Sequence, residues 1–152
     1  MSNVTTALPA DYEYVHHPSH YNVHPSQVEC IEIVEWLPFN TGNAFKYLYR
    51  RGQKGSLVQD LEKALWYTKR EIERIDSCIE LSVSGRPVFS LSPRIEMLIE
   101  RVLNAERSVP DGIPDVYGAL ALPQTRSSYL RSLELAATQI GEMIGAAKLT
   151  SK

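Results

Sequence analysis

Charged residues recur at helical spacing in residues 42–67, GNAFKYLYRRGQKGSLVQDLEKALWY, and this periodicity most constrains the fold of the chain. Lys46, Arg50 and Lys54 are four residues apart, a spacing that places side chains on one face of an α-helix. Gly52 is suited to a left-handed helix end. The stretch therefore predicts one helix at about 42–51, a glycine-containing turn and a second helix at about 57–80.

The rest of the chain also has a hydrophobic pattern of helical period, and no stretch alternates convincingly as a strand does. Ser26 and Glu29 are interpreted as a capping box that opens a helix ending at Pro38, and Asn40 or Thr41 as the cap of the next helix. Further helices are predicted at about 93–105, 115–120 and 125–148. The sequence therefore predicts an all-α fold, a compact helical domain of three main N-terminal helices with a helical C-terminal extension.

The helix predicted at about 57–80 contains a heptad-like series of inward positions. Two interpretations of the series stay open, a helix that faces the core of one chain and a contact between subunits. The series consists of Leu57, Leu61, Leu65, Thr68, Ile72, Ile75 and Ile79.

Shifts in composition divide the chain into four segments. Residues 1–15 are predicted to be a flexible arm, 16–80 a helical domain, 81–91 a linker with a short extended piece, and 92–152 a helical C-terminal extension.

The composition limits the class of protein. The formal net charge is -2, which argues against a strongly basic nucleic-acid binder but allows a local basic pocket. Cys30 and Cys78 are too few for a disulfide framework and are interpreted as buried thiols. Because no signal peptide or membrane span is recognised, we expect a cytoplasmic protein.

The basic residues of the central stretch are the first candidate site. Lys46, Arg50 and Lys54, with Arg51 and Lys63, would suit a polyphosphate, because phosphates are bound by several converging cations. The alternative is a solvated helix face. No Walker phosphate loop is present, since the required glycine and lysine order is missing.

Acidic and histidine residues form the other candidate sites. In the solvated-face alternative, Glu29, Glu32 and Asp60 pair with the cations. Glu29 and Glu32 also share a helix side that could hold magnesium. With a second acidic pair, Glu73 and Asp76, this pattern is similar to that of helical nucleotide pyrophosphohydrolases.

Three histidines, His17, His20 and His24, occur within eight residues. They could ligate a metal or serve as acid and base, and contact with a ligand is the preferred use of His20.

Several motifs occur together in a fixed order. They are HPSHY at 17–21, ECIE at 29–32, GNAFKY at 42–47, then Arg50, Gly52 and Lys54, DLEKA at 60–64 and WY at 66–67. This order resembles the small bacteriophage domain at the C-terminal end of the T-odd coliphage nucleotide kinase, which also occurs in short phage proteins of unknown function. The resemblance covers about residues 16–74. Arg51 stands where that family usually has alanine, and Glu62 where it has lysine.

The resemblance implies a phage-type nucleotide-binding protein and a nucleoside or deoxynucleoside monophosphate kinase without a P-loop, which would use magnesium and ATP or another nucleoside triphosphate. The catalytic residues would be His20, Lys46 and Arg50. The residues that would bind the nucleotide or its phosphates are His17, Tyr21, Asn43, Lys46, Tyr47, Arg50, Lys54 and Lys63. Glu29, Glu32 and Asp60 would hold the metal.

Two other functions stay open. One is a protein that binds and sequesters a host nucleotide, or a nucleotide-derived defence signal, without turnover. The other is an assembly or regulatory module. We expect a homo-oligomer, with neither a membrane nor a specific nucleic-acid sequence as a partner.

Overall fold

The fold of the protein is known from a computed structural model, which describes residues 24–78 and 85–150. Its elements are α1 Cys30–Val34, α2 Phe39–Tyr49, α3 Leu57–Ser77, α4 Pro93–Arg107, α5 Pro114–Ala121 and α6 Arg126–Thr150. Within these ranges, Pro87 and Thr125 form one isolated antiparallel β-bridge. The predicted all-α fold is confirmed.

Some predictions concern residues that lie outside the described ranges. The arm at 1–15 and the turn that carries His17, His20 and Tyr21 are among them, as is Ile79.

The start of α1 differs from the predicted capping box. Glu29, not Ser26, is the N-cap, and its backbone N–H donates to Glu32 Oε2 at 3.1 Å. Gln27 has a φ of 56° and its N–H donates to His24 O at 3.0 Å, so a tight turn precedes the helix. The prediction of Ser26 as the cap is wrong because this turn delays the start of the helix.

Helix α2 begins earlier than predicted, directly after Pro38, so Asn40 and Thr41 lie inside it rather than at its cap. It ends at Tyr49, and Gly52 follows with a φ of 76°, as a left-handed helix end requires. Lys54 therefore lies in the turn after the helix. The prediction that it extends the cationic face of the helix is wrong.

Serines cap the next two helices as the sequence predicts. Ser56 Oγ accepts from the Gln59 backbone N–H at 3.4 Å at the start of α3. Ser92 precedes Pro93 at the start of α4, where its backbone oxygen accepts from the N–H of Ile95 at 3.0 Å. Proline is favoured in this first helical position because it has no N–H to satisfy.

Helix α3 lies between α2 and α6, and α5 joins α6 to α2 and α4. One hydrophobic core includes residues of both halves of the chain. The predicted inner residues of α4 are all buried, and so are those of α6 except Ala137, which is half-buried. The buried residues predicted for these two helices are Ile95, Leu98, Ile99, Val102, Leu103, Tyr129, Leu133, Ala136, Ile140 and Ile144.

The heptad-like series on α3 faces the core of the single chain at Leu61, Thr68 and Ile75. Leu57 is 40% exposed, so the series does not begin there. In α1, Ile31 is 56% exposed.

No helix in the described ranges is both long and apolar enough to pass through a membrane.

Candidate functional site

Three cations surround one aromatic ring where α2 packs against α3. Lys46 Nζ and the Arg50 guanidinium carbon each lie 4.8 Å from the centroid of the Tyr47 ring, and Lys63 Nζ lies 5.3 Å from it. The Tyr67 ring is stacked on Tyr47 with its centroid 5.9 Å away. These five residues are called the Tyr47 cluster below. Cation–π attraction holds such groups together, although like charges gather there.

Helical spacing explains how two short sequences form this cluster. Lys46 lies on α2 and Arg50, four residues on, directly follows the end of that helix, while Lys63 and Tyr67 are four apart on α3, so each pair lies on one face. Asn43 positions the first cation, since its Oδ1 accepts from Lys46 Nζ at 2.8 Å. Its Nδ2 donates to the Phe39 backbone oxygen at 2.8 Å, which fixes the amide.

Asp60 offsets part of the positive charge. The carboxylate is 2% exposed, and its Oδ1 accepts from Arg50 Nη2 at 3.0 Å. Its Oδ2 accepts from the Gly52 backbone N–H at 3.4 Å. Because one carboxylate accompanies three cations, the Tyr47 cluster with Asp60 remains net positive.

An apolar groove adjoins the Tyr47 cluster between α1 and α2. It has a volume of about 340 Å³, within the range of small-molecule sites. A Cβ on Gly42 would lie 3.1 Å from the Val34 backbone oxygen, so glycine allows the close approach of α2 to the end of α1. Because Lys46 belongs to both groove and cluster, the two form one continuous surface. The groove is lined by Val34, Leu37, Phe39, Gly42, Asn43 and Lys46.

A second polar centre is buried around His24 and Glu106, and no sequence motif predicts it. His24 Nε2 lies 2.7 Å from Glu106 Oε1, and His24 Nδ1 lies 2.8 Å from Ser26 Oγ. Ser26 Oγ also contacts Tyr49 Oη at 3.2 Å. His24 thus packs inside the protein, stacked on Tyr49 with ring centroids 4.4 Å apart.

Arg51 completes this His24–Glu106 network. Its Nη2 donates to Glu106 Oε2 at 3.2 Å, and its Nη1 donates to Tyr117 Oη at 2.9 Å. The Ile113 backbone N–H donates to the same Oε2 at 2.8 Å. Burial alone would raise the pKa of Glu106, but the hydrogen bond from His24, the charge of Arg51 and this backbone N–H together lower it.

A small cavity of about 180 Å³ lies beside the network. Its lining consists of His24, Pro25, Tyr49, Arg51, Gln53, Glu106 and Val109. Since the charged groups of the network satisfy one another, its arrangement serves to join distant segments of the chain.

The third buried carboxylate belongs to Glu71, which lies on α3. Its oxygens accept from Asn40 Nδ2 at 3.0 Å and from Arg74 Nη2 at 2.8 Å. The Tyr129 hydroxyl donates to it at 3.4 Å, and burial raises the pKa of Tyr129. Through these contacts Glu71 joins α3 to both α2 and α6.

The residues predicted to hold a metal take part in other contacts. Glu29 and Glu32 form the cap of α1, and Asp60 binds Arg50. Over residues 24–78 and 85–150, no three histidine, cysteine, aspartate or glutamate side chains gather as a metal site. The residues of the second acidic pair also contact cations, Glu73 pairing with Arg70 at 3.2 Å and Asp76 with Arg126 at 3.4 Å.

The structure brings together five of the predicted nucleotide-binding residues, and Lys54 lies exposed in the neighbouring turn. The residues that gather are Asn43, Lys46, Tyr47, Arg50 and Lys63. His17, His20 and Tyr21 lie outside the described residues, so their proposed roles stay predictions. Phe39 and Tyr67 complete the surface, and no sequence motif had singled out Phe39.

Comparison with known families gives one match in the same region. Residues 15–69 match the model of a family named DUF3310, described as a protein of unknown function. This match covers nearly the same residues as the resemblance at 16–74, and it includes α1, α2, the Tyr47 cluster and the first part of α3. Its description names no activity. Neither a curated protein nor a solved structure matches the chain.

Proposed function

We propose that the chain binds a nucleotide or a nucleotide-derived small molecule on the surface formed by the α1–α2 groove and the Tyr47 cluster. The observation that carries the proposal is the convergence of three cations from two helices on one tyrosine ring, directly beside an apolar groove. A nucleotide combines an anionic end with a flat, largely apolar ring, and this surface offers a partner for each.

The phosphates would lie against Lys46, Lys63 and the guanidinium of Arg50. Arginine presents a planar fork of donors, and the lysines supply point charges, so the set suits phosphate oxygens. The base would enter the groove beside Phe39, whose ring is 74% exposed. Asn43 lies between these two regions and would orient the nucleotide.

We further propose phosphoryl transfer as the activity of this site, on the strength of the resemblance to the phage nucleotide kinase. The acceptor would be a deoxynucleoside monophosphate and the donor a nucleoside triphosphate. Lys46 and Arg50 would stabilise the charge that spreads over the transferred group, which is the main requirement of such a transfer. His20 remains the proposed proton donor.

Magnesium would accompany the triphosphate. The ion would be held mainly by phosphate oxygens, with one or two carboxylates in support. Asp60 is already bound to Arg50, and no step of the transfer is assigned to it.

Isothermal titration with a panel of nucleoside mono-, di- and triphosphates tests the binding. The variants Lys46→Gln and Lys63→Gln remove one charge each without uncovering a buried group, and each should weaken binding about tenfold or more. Arg50→Ala is a poorer test, because it would leave the buried Asp60 carboxylate without its ion pair.

A matched control is Arg94→Gln, an exposed cation on α4 outside the surface. It should leave nucleotide affinity unchanged. Equal losses in Arg94→Gln and Lys46→Gln would show a bulk charge effect and would contradict a site at the Tyr47 cluster, as would a failure of the native protein to bind any nucleotide.

Transfer of labelled phosphate from ATP to thymidine or deoxyguanosine monophosphate tests the enzymatic part. Labelled diphosphate should form, and Lys46→Gln should reduce the rate. If the folded protein binds nucleotides but transfers no phosphate to any monophosphate, and the ligand is recovered intact after denaturation, the protein sequesters its ligand and is no kinase.

A further inference from the structure

Four aromatic rings form a contiguous group on the surface of α2 and α3, in which Tyr47 is stacked on Tyr67 while Phe39 and Trp66 meet Tyr67 edge-on. Tyr67 is at its centre, with Phe39 6.1 Å away, Tyr47 5.9 Å away and Trp66 4.9 Å away between ring centroids. Phe39 is 74% exposed and Trp66 is 59% exposed. These four residues are called the aromatic platform.

The aromatic platform extends beyond the groove in which the proposed nucleotide base lies. Phe39 borders the α1–α2 groove, where the proposed nucleotide base lies. Trp66 is on α3 and outside the lining of that groove. The platform therefore provides a second large, exposed ring beyond the proposed mononucleotide site. Stacking on successive aromatic rings is the means by which proteins hold single-stranded nucleic acid without reading its sequence.

Positive charge continues along α3 past Trp66. Lys63 precedes it by three residues, and Lys69 and Arg70 follow it by three and four, so helical spacing places all three beside the indole. Arg70 pairs with Glu73 at 3.2 Å. Glu62, which lies next to Lys63, pairs with Lys148 of α6 at 2.8 Å. Both of these exposed acidic groups are thus bound to cations of the protein, which reduces their repulsion of a phosphate chain.

We infer that the aromatic platform binds a single-stranded oligonucleotide, whose consecutive bases stack on Phe39 and Trp66 and whose phosphates lie against Lys46, Lys63 and the cations that follow on α3. The inference rests on the proposed nucleotide site, which would hold one unit of the strand. It agrees with the net charge of -2, because the basic groups are concentrated in one small surface.

The surrounding charge favours a polyanion over a second copy of the chain. In a symmetric pair the same patch lies on both sides of the interface, so Lys46 and Lys63 would approach their own copies. Like charges facing each other in a contact are unfavourable, whereas phosphates neutralise them. The phosphates of a single-stranded oligonucleotide complement the cations, and its bases complement the rings.

The test measures fluorescence anisotropy of a labelled oligothymidylate, with thymidine monophosphate titrated separately by calorimetry. The oligonucleotide should bind more tightly than the monophosphate. Its affinity should fall as salt rises, by a slope of about -0.7 in log–log form for each phosphate contacted. Trp66→Ala should weaken binding of the oligonucleotide about 5- to 100-fold and leave the affinity for the monophosphate nearly unchanged.

Two further variants make the result specific. Met97→Ala removes an exposed apolar side chain of α4 outside the platform, so it should change neither affinity. Trp36→Phe leaves Trp66 as the only tryptophan, and its fluorescence should be quenched when the oligonucleotide binds, since a stacked base lies against the ring.

The possible failures can be told apart. Binding of the monophosphate with no gain for the oligonucleotide overturns this inference and leaves the proposed function intact. Binding of neither ligand overturns both. If sedimentation shows a dimer that Trp66→Ala converts to a monomer, with oligonucleotide affinity unchanged, the platform is a contact between copies of the chain and the inference is wrong.

Discussion

The imidazole of His24 lies 2.7 Å from the carboxylate of Glu106, with 3% and 2% of their side chains exposed. His24 lies within residues 15–69, which match DUF3310, and Glu106 lies on α4 in the C-terminal half. The Ser26 backbone N–H donates to His24 Nδ1 at 3.2 Å, so the other ring nitrogen, Nε2, carries the proton and donates to Glu106. This buried hydrogen bond fixes the position of the N-terminal region relative to α4.

Glu106→Ala should destabilise the fold severely. The substitution removes the acceptor of His24 and leaves the partly buried guanidinium of Arg51 without its ion pair. The loss of one partner from a buried pair lowers the free energy of unfolding by about 3–5 kcal/mol. Urea denaturation followed by circular dichroism measures it.

Glu100→Ala is the matched control for that substitution. Glu100 is on the same helix, is 53% exposed and lies 3.8 Å from Arg107. Its removal should change the free energy of unfolding by about 0.5 kcal/mol or less. Similar losses from the two substitutions would mean that the His24–Glu106 network contributes no special stability.

Lowering the pH should reduce the free energy of unfolding, because the Glu106 carboxylate becomes protonated. Its pKa is lowered in the folded state, because the contributions of His24, Arg51 and the Ile113 N–H outweigh burial. A carboxylate with a lowered folded pKa stabilises the fold above its unfolded pKa, and this contribution is lost as pH falls through the folded pKa. The free energy of unfolding should therefore fall with acid more steeply in the native protein than in Glu106→Gln, when both are measured by urea denaturation across the acidic range. Parallel pH profiles would contradict this assignment.

The sequence predicts the helices of this fold better than its buried charges. Ser56, Ser92 and Pro93 are local signals, and α3 and α4 begin where those signals lie. The apolar face of α6 was also predictable, since its period is regular. Asp60 and Glu71 each have a partner from another segment of the chain, Arg50 for Asp60 and Asn40 for Glu71, and such pairing has no signature in local periodicity.

Arg51 illustrates the same limit at the candidate sites. In the sequence Arg51 is one more cation beside Arg50, at a position where the phage family that the chain resembles usually has alanine. In the fold the two neighbours diverge, Arg50 to the Tyr47 cluster and Arg51 to Glu106 and Tyr117 in the C-terminal half. Because those partners lie outside the DUF3310 match at residues 15–69, Arg51 connects the domain to helices that the match does not include.

The two cysteines should differ in reactivity toward a thiol reagent. Cys30 is 2% exposed, and burial raises the pKa of its thiol to about 12 despite the charges of Lys46 and Arg50 nearby. Thiolate is the reactive form, so Cys30 should be inert in the folded protein. Titration with Ellman's reagent should give one accessible thiol, the half-buried Cys78, and a second only in denaturant.

Cys78→Ser checks that assignment. The variant should show no fast reaction when folded and one thiol when unfolded. Rapid modification of folded Cys78→Ser would mean that the core under α1 opens readily, contrary to the expected protection of Cys30.

Gly112 should tolerate no side chain, because it packs against the backbone of α4. A Cβ placed there would lie 1.7 Å from the Glu106 carbonyl oxygen, a clash that only a backbone shift can relieve. That shift would move Ile113, whose N–H donates to the Glu106 carboxylate at 2.8 Å. Gly112→Ala should therefore lower the free energy of unfolding by about 2 kcal/mol or more.

Gly145→Ala should have the opposite effect. Gly145 is an exposed residue within α6, and a Cβ there would meet no atom within 4 Å. Alanine loses less backbone entropy than glycine on entering a helix, so the free energy of unfolding should rise by about 0.5–1 kcal/mol. Thermal melts of the two variants should shift in opposite directions. A stable Gly112→Ala protein would show that the turn after α4 can move away without disturbing Glu106, and the buried network would then be less rigid than its contacts indicate.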